Sequence, residues 1–270
     1  MNKNGTLYIV ATPIGNLEDI TLRATRVLKE VDCIACEDTR VSGKLLDHFG
    51  IKKELISLHQ HSDDRKLQEI IDRLNRGENI AYITDSGTPG ISDPGGALVR
   101  AVQDTRNKIQ ETNKFQISNS KNCHSERSEE SKFNKILLRQ TADQDDIKIV
   151  PIPGPSAVTA AASVSGMVEK EFFFAGFLPK KKGRQTKFIE LSKIEAPIII
   201  YESALRLERT LADIEQYFGS NSEVFLAREM TKMFEEYWGG KVGKVLADLP
   251  THKLKGEVTI IVRGTERNKD

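Results

Sequence analysis

The chain has 270 residues and a formal net charge of +1, with 38% hydrophobic and 29% charged residues. That balance fits a folded, soluble chain and excludes a uniformly basic nucleic-acid binder or a disordered polyelectrolyte; no apolar run approaches the roughly 20 residues that span a bilayer. Three cysteines are too few for a disulfide framework.

Thr6-Leu7-Tyr8-Ile9-Val10-Ala11 reads as a first strand with no basic region or cleavage site before it, so the expectation is a cytoplasmic protein without a membrane partner. The turn Thr12-Pro13-Ile14-Gly15-Asn16 follows, and Asp19 is placed to cap a helix with Ile20, Leu22, Ala24, Val27 and Leu28 inward. A strand over 32–37 carries Cys33 and Cys36. Positions three apart on a strand face opposite sides, so this pair is expected in the core and not on a metal. A helix over 39–49 stops at Gly50, and a short strand spans 55–59. His59 and His61 share a face there, but the expectation remains a protein with no metal site. An amphipathic helix over 63–76 turns Leu67, Ile70, Ile71 and Leu74 inward and closes at Gly77; a strand at 79–84 and a helix at 95–103 come next. This alternation predicts a mostly parallel sheet with right-handed crossovers.

Residues 104–146 break the pattern. They are rich in Asn, Gln, Ser, Lys and Glu, and read as a low-complexity surface insertion, with Cys123 and His124 as solvated passengers. A strand at 147–150 and a helix at 156–165 resume the order, and Ser165-Gly166-Met167 looks like a joint. The expected domains are therefore 1–166 and 167–270. The second begins with an aromatic strand at 171–178. It continues through a basic helix at 182–194, a strand at 197–202, a helix at 204–218 and a strand at 223–229. A hairpin signalled by Gly239-Gly240, a short helix and a last strand at 257–262 complete it. The fold class is α/β, with a mostly parallel N-terminal sheet, a mixed C-terminal sheet and a ligand cleft between the two.

Two runs carry the most chemistry: Asp85-Ser86-Gly87-Thr88-Pro89 and Pro151-Ile152-Pro153-Gly154-Pro155-Ser156-Ala157. Each follows an apolar strand, where Gly/Pro turns at one edge of a parallel sheet build a ligand crevice. Glycine admits a ligand close to the backbone, proline holds the turn, and Ser156 can cap the next helix and aim its amides outward. The pattern predicts a small-molecule site on backbone loops. Polar residues at other strand ends are candidates for the reacting centre: Asp38 and Arg40 in the first domain, Glu202 and Glu229, with Arg228 and Lys232, in the second. Glu202 ends a buried strand that would raise the pKa of an unpaired carboxylate, so it ranks above Asp38 as proton acceptor, with Arg40 as a phosphate anchor. Lys180, Lys181, Lys182, Arg184 and Lys187 form the best candidate surface for RNA phosphates.

Several motifs in one order are similar to the ribosomal RNA small subunit methyltransferase I family of the tetrapyrrole methylases. They are Tyr8 to Leu17 with Asp19-Ile20-Thr21, Glu37-Asp38-Thr39-Arg40, the segment 85–95, Val150 to Ala157, Gly176-Phe177-Leu178-Pro179, Tyr201-Glu202-Ser203, Ala227 to Lys232, and Lys255-Gly256-Glu257. The resemblance implies the tetrapyrrole-methylase fold with S-adenosylmethionine in the cleft, 2′-O-methylation of a cytidine in 16S ribosomal RNA near the decoding centre, and a homodimer. Pro13, Gly15, Asp85, Gly87, Thr88, Pro89, Ile91, Pro153, Gly154, Ser156, Ala157 and Glu257 are then the expected cofactor-binding residues. The chain departs from the pattern at Ala204-Leu205, where the family has Pro-His, and at the insertion, where the family has a short turn. Two other readings stay open on sequence alone: a methyltransferase of this fold acting on a tetrapyrrole or a protein side chain, and a non-catalytic RNA- or ribosome-binding relative.

Overall fold

The computed structural model describes residues 4–59, 64–105, 146–251 and 255–264. Almost all of the expected insertion, including Cys123 and His124, and also His61, lie outside the described residues. The chain divides into two units: 1–12 with 20–154, and 13–19 with 155–270.

The first unit contains β1 (Thr6–Val10), α1 (Leu22–Glu30), β2 (Cys33–Cys36), α2 (Thr39–His48), β3 (Glu54–Ser57), α3 (Asp64–Asn75), β4 (Ile80–Ile83), a helix α4 over 95–105, and β5 (Lys148–Ile152). Its strands form one parallel sheet in the order β3-β2-β4-β1-β5. Strands covered on both faces can be apolar throughout, and β2 and β4 are buried at every position. On one face Leu7, Cys33, Ala35, Ile80 and Tyr82 pack against Ile70 and Leu74 of α3 and Leu98 and Val102 of α4. On the other, Val10, Ile34, Cys36, Ala81 and Ile83 pack against Val27 and Leu28 of α1 and Leu46 of α2. Cys33 and Cys36 thus lie in opposite layers. Burial pushes both thiols up, Cys33 to about 11, which leaves them protonated and unreactive.

Three details differ from expectation. The first helix is capped not by Asp19 but by Thr21, whose side chain accepts from the Ala24 amide at 3.0 Å, and Leu22 faces solvent. Asp19 belongs instead to a 3₁₀ turn over Leu17–Asp19. β5 runs on through Pro151, which pairs with Ile9; it is an edge strand, where a residue without an N–H is tolerated.

The second unit contains α5 (Ala157–Ser165), β6 (Phe173–Phe177), α6 (Arg184–Leu191), β7 (Ile198–Ser203), α7 (Leu207–Phe218), β8 (Glu223–Arg228), β9 (Glu236–Lys241), α8 (Val242–Asp248) and β10 (Glu257–Arg263). Its sheet is mixed, in the order β6-β7-β10-β8-β9, with β6 and β7 parallel and the remaining neighbours antiparallel. One face packs Ile198, Ile200, Leu226 and Ile260 against Phe188 of α6, Leu211 and Ile214 of α7, and Val245 of α8. The other packs Ile199, Ala227 and Ile261 against Val158 and Ala161 of α5, together with Ile14, Met167 and Met230. This second layer explains why the division falls at 154/155 and not at the expected 166: α5 buries its apolar side on the second sheet. The Gly239-Gly240 pair does not form a hairpin turn. It lies inside β9, where a Cβ on Gly239 would stand 2.5 Å from the Val224 carbonyl of the paired strand. The turn is 229–235.

Candidate functional site

The first unit gathers its loops where β4, β1 and β5, adjacent and parallel, reach their carboxyl ends. Thr12, which is buried, ties two of them together. Its amide donates to the Gly87 carbonyl at 3.0 Å, and its hydroxyl lies 3.2 Å from the Thr84 carbonyl and 3.4 Å from that of Gly87. Gly87 has φ +84°, a conformation that side chains resist, and this turns Asp85-Ser86 outward while Gly87 and Pro89 are buried. The Asp93 carboxylate then closes the loop, accepting from the amides of Gly90 (2.7 Å), Ile91 (3.2 Å) and Gly95 (2.8 Å) and from the Tyr82 hydroxyl (3.3 Å). The third loop comes equally close: a Cβ on Gly154 would lie 2.9 Å from the Ala11 Cβ. The result is a rim of main chain with Ile91 and Asp85 exposed on it, Thr88 half-buried and Pro153 exposed.

Acidic groups surround this rim. Asp85 Oδ1 accepts the Asp38 amide at 3.2 Å. Burial raises the pKa of Glu37 and of Asp85, and neighbouring carboxylates add to both. A cation bound here would relieve that repulsion. Asp38 is different. It caps α2 through the Arg40 amide (2.8 Å) and holds the Arg40 guanidinium at 2.6 and 3.0 Å. The side-chain bond from Arg40 pulls its pKa down to about 2. That carboxylate is committed to the first turn of α2 and to the Arg40 guanidinium. Arg40 remains 86% exposed and available to an anion.

The second unit has its own concentration of polar groups at the ends of β8 and β10. Glu229 and Thr231 adopt φ +48° and +65°, the only positive values among the described non-glycine residues. Lys232 Nζ donates to Glu229 Oε1 (2.9 Å) and Glu257 Oε2 (3.0 Å), and the Glu257 amide donates to Glu229 Oε1 (3.0 Å). Two glycines fit around this cluster because they lack a side chain. A Cβ on Gly256 would stand 2.2 Å from Glu229 Oε1, and one on Gly15 2.4 Å from Lys232 Cγ. The Asn16 amide donates to Thr231 Oγ1 at 3.1 Å. The structure thus brings Gly15, Glu229, Lys232 and Glu257 of the expected site together, and adds Thr231 and Gly256. Burial opposes ionisation of Glu229, yet Lys232 and the Glu257 amide outweigh it and its pKa falls; the same two carboxylates raise Lys232 against its own burial. Ser156 precedes α5 without capping it through its side chain. The Val158 amide in that first turn meets the Tyr201 phenol, whose pKa burial nevertheless pushes up to about 12.

Glu202 does not stand as an open acid. It is 1% exposed and faces the layer of α6 and α7 with Ile198 and Ile200. Its oxygens accept from the Ser203 amide (2.7 Å), Thr210 (2.8 Å) and Arg206 (2.5 Å). Arg184 extends the same network, donating to Thr210 (2.8 Å), Asp213 (2.7 Å) and the Pro179 carbonyl (3.2 Å). Arg184 is therefore buried structure, not part of the RNA surface. Lys180, Lys181 and Lys182 are exposed on the turn before α6, while Lys187 is half-buried between Glu190 and the Phe173 ring.

Among the described residues no set of three or more His, Cys, Asp or Glu is arranged to hold a metal, and no helix is long and apolar enough to cross a membrane.

The family of tetrapyrrole (corrin/porphyrin) methylases matches residues 6–113 and 131–246. A ribosomal RNA small subunit methyltransferase I of Pasteurella multocida is 41% identical over 267 residues, covering 97% of this chain and 80% of its own. One from Thermotoga maritima is 38% identical, covering 97% of this chain and all of its own. Among solved structures, a uroporphyrin-III C-methyl transferase from Thermus thermophilus, complexed with S-adenyl homocysteine, is similar with a TM-score of 0.57 at 13% identity. It covers 96% of this chain and 97% of its own.

Proposed function

The chain belongs to the tetrapyrrole methylases, in the ribosomal RNA small subunit methyltransferase I family, and from that premise we propose that it methylates the ribose 2′-oxygen of a cytidine in 16S ribosomal RNA, near the decoding centre of the small subunit. S-adenosylmethionine is the donor, and it supplies a methyl group already activated on a positively charged sulfur. The observation that carries the reading is the match, along 97% of the chain, to a methyltransferase of small-subunit ribosomal RNA.

The residues fit such a donor. Backbone at 85–91 and 153–154 forms the rim against which a nucleoside would lie, and Gly154 sits where a Cβ would already crowd Ala11. Glu37 and Asp85 favour a positively charged ligand beside them. Because the methyl group arrives activated, the protein has two tasks, alignment of the ribose and removal of its proton. Lys180, Lys181 and Lys182, exposed and consecutive, supply phosphate contacts, and Arg40 supplies another.

The test is methyl transfer from labelled S-adenosylmethionine to small subunits isolated from cells lacking this gene. The label is expected at one cytidine ribose, where it protects the adjoining phosphodiester from alkali. Label in a base, or transfer only to a tetrapyrrole or a protein, would overturn the assignment.

A further inference from the structure

β6 is an edge strand, and its last residue, Phe177, stands opposite Tyr201 of β7. Three rings meet there. Tyr201 meets Phe174 edge-on, with 5.0 Å between centroids, and Phe177 at 5.4 Å, tilted by 58°. Phe174 and Tyr201 are half-buried, whereas Phe177 is 58% exposed. An exposed apolar residue alone needs no explanation. This one leads, through the buried Leu178, into a turn that presents charge. Arg184 holds the turn from inside through the Pro179 carbonyl (3.2 Å), and Arg209 holds it through the Lys180 carbonyl (3.3 Å). The basic side chains further along are taken up, Arg184 by Asp213 and Lys187 by Glu190. Lys180, Lys181 and Lys182 are exposed, and none of the three forms an ion pair among the described residues. Three residues separate Phe177 from Lys180, at most about 11 Å of chain. The exposed ring of Phe234 lacks this setting: Glu235 and Glu236 follow it, and acids repel phosphate. An aromatic face beside free cations is what an unstacked nucleotide binds, the base on the ring and the phosphates on the charges.

Resting on the methyl-transfer reading above, we propose that Phe177 binds RNA: an unpaired base of the small-subunit RNA stacks on its ring while Lys180, Lys181 and Lys182 meet the phosphates beside that base. The two parts contribute differently. The ring acts through contact and dispersion, which salt leaves alone, whereas the ammonium groups release counterions and weaken as salt rises. Every base has a π-face, and in a duplex those faces are already stacked on one another. Phe177 therefore selects an unpaired strand over a duplex and not one sequence over another.

The experiment compares wild type with F177A, F177L and F177W. Affinity for small subunits from cells lacking this gene is measured over a range of salt, alongside donor affinity by titration and the state of association by sedimentation. F177A should bind small subunits about 5- to 140-fold more weakly with an unchanged salt slope, because it loses a stacking face and no charge. F177L keeps most of the bulk without a π-face and should lose at least about threefold, while F177W should stay within about threefold of wild type. A second readout isolates the base: a short oligoadenylate is compared at low salt with the abasic oligomer of the same length. Wild type should prefer the oligoadenylate by about fivefold or more, and F177A should show no preference. If F177A fails to fold, F177L decides. A loss of less than about threefold in F177A or F177L, a tryptophan variant as weak as the alanine one, or a wild type without preference for the oligoadenylate overturns the inference. A loss matched by weaker donor binding also overturns it, assigning the ring to the donor, as does one matched by dissociation into fewer copies, assigning the ring to a second copy of the chain. Wild type that neither binds nor methylates small subunits overturns the proposed function itself, and this assignment with it.

Discussion

Glu202→Gln separates a structural acid from a catalytic one. The Glu202 side chain is fully buried, and it receives the Ser203 amide at 2.7 Å, the Thr210 hydroxyl at 2.8 Å and Arg206 at 2.5 Å. A glutamine keeps one acceptor and turns an NH₂ group toward Thr210, which is already the acceptor for Arg184. The charge-assisted pair with Arg206 is lost, and Arg206 Nη1 is already buried without a partner among the described residues. Removing one partner of a buried pair costs about 3–5 kcal/mol; Arg206 is 24% exposed and recovers part of its hydration, so about 3 kcal/mol is expected. For a unit of about 120 residues that corresponds to a fall in Tm of roughly 12 °C. Urea unfolding followed by circular dichroism measures the stability, and single-turnover methyl transfer well below the melting range measures the chemistry. The reasoning predicts a destabilised protein with a near-normal rate. A variant as stable as wild type whose rate has collapsed would refute it and restore Glu202 as the proton acceptor.

Replacing Lys180, Lys181 and Lys182 together by Ala should weaken binding to the small subunit and lower the slope of log affinity against log salt by up to about 2, with donor affinity unchanged. Arg184→Ala should instead leave that slope alone and lower stability, since Arg184 is 4% exposed and paired with Asp213. Gly154→Ala places a methyl 2.9 Å from the Ala11 Cβ, which is anchored directly to the main chain and cannot swing aside. Overpacking costs about 1–3 kcal/mol, and a donor titration should show affinity weakened about tenfold or more while Lys180 variants show none of this. Glu229→Gln tests the linkage: the folded-state pKa of Glu229 lies below its ordinary 4.5, so its contribution is present above that value and is lost as pH falls through the folded pKa. The Tm gap between wild type and variant should therefore be constant near neutrality and close below about pH 4. A gap that persists in acid would show that the carboxylate charge is not what matters.

The apolar runs and their Gly/Pro turns were enough to read the two sheets, because buried parallel strands leave a continuous hydrophobic signature and their turns a fixed vocabulary. The strand-end loops at 85–91 and 153–154 were legible for the same reason. What stayed hidden were partners. Arg184 stands in a basic run and looks like its neighbours, but Thr210 and Asp213, 26 and 29 positions away, draw it into the core. Glu202 carries the same lesson: a carboxylate at the end of a buried strand is reactive or structural according to who faces it, and Thr210 lies on the next helix. Gly239-Gly240 has the composition of a turn, yet serves the close approach of β9 to β8. Lys232 lay in a motif that could be quoted from sequence, and only the positive φ of Glu229 and Thr231 reveals that its position is enforced.

The two units use different materials, and that has a consequence for substrate choice. In the first, the rim proposed for the donor is main chain, shaped by Thr12, Gly87 and Asp93 through hydrogen bonds to amides and carbonyls. A grip of that kind depends on backbone path and on the absence of side chains at a few glycines, so it tolerates wide change elsewhere and fits one ligand common to many enzymes. In the second, the cluster is side chain on side chain: Lys232 between Glu229 and Glu257, with lysines 180–182 exposed before α6. Such a cluster is lost by single substitutions and suits one kind of acceptor. A hydroxyl must give up a proton as it is methylated, and a positioned acceptor for that proton speeds the step.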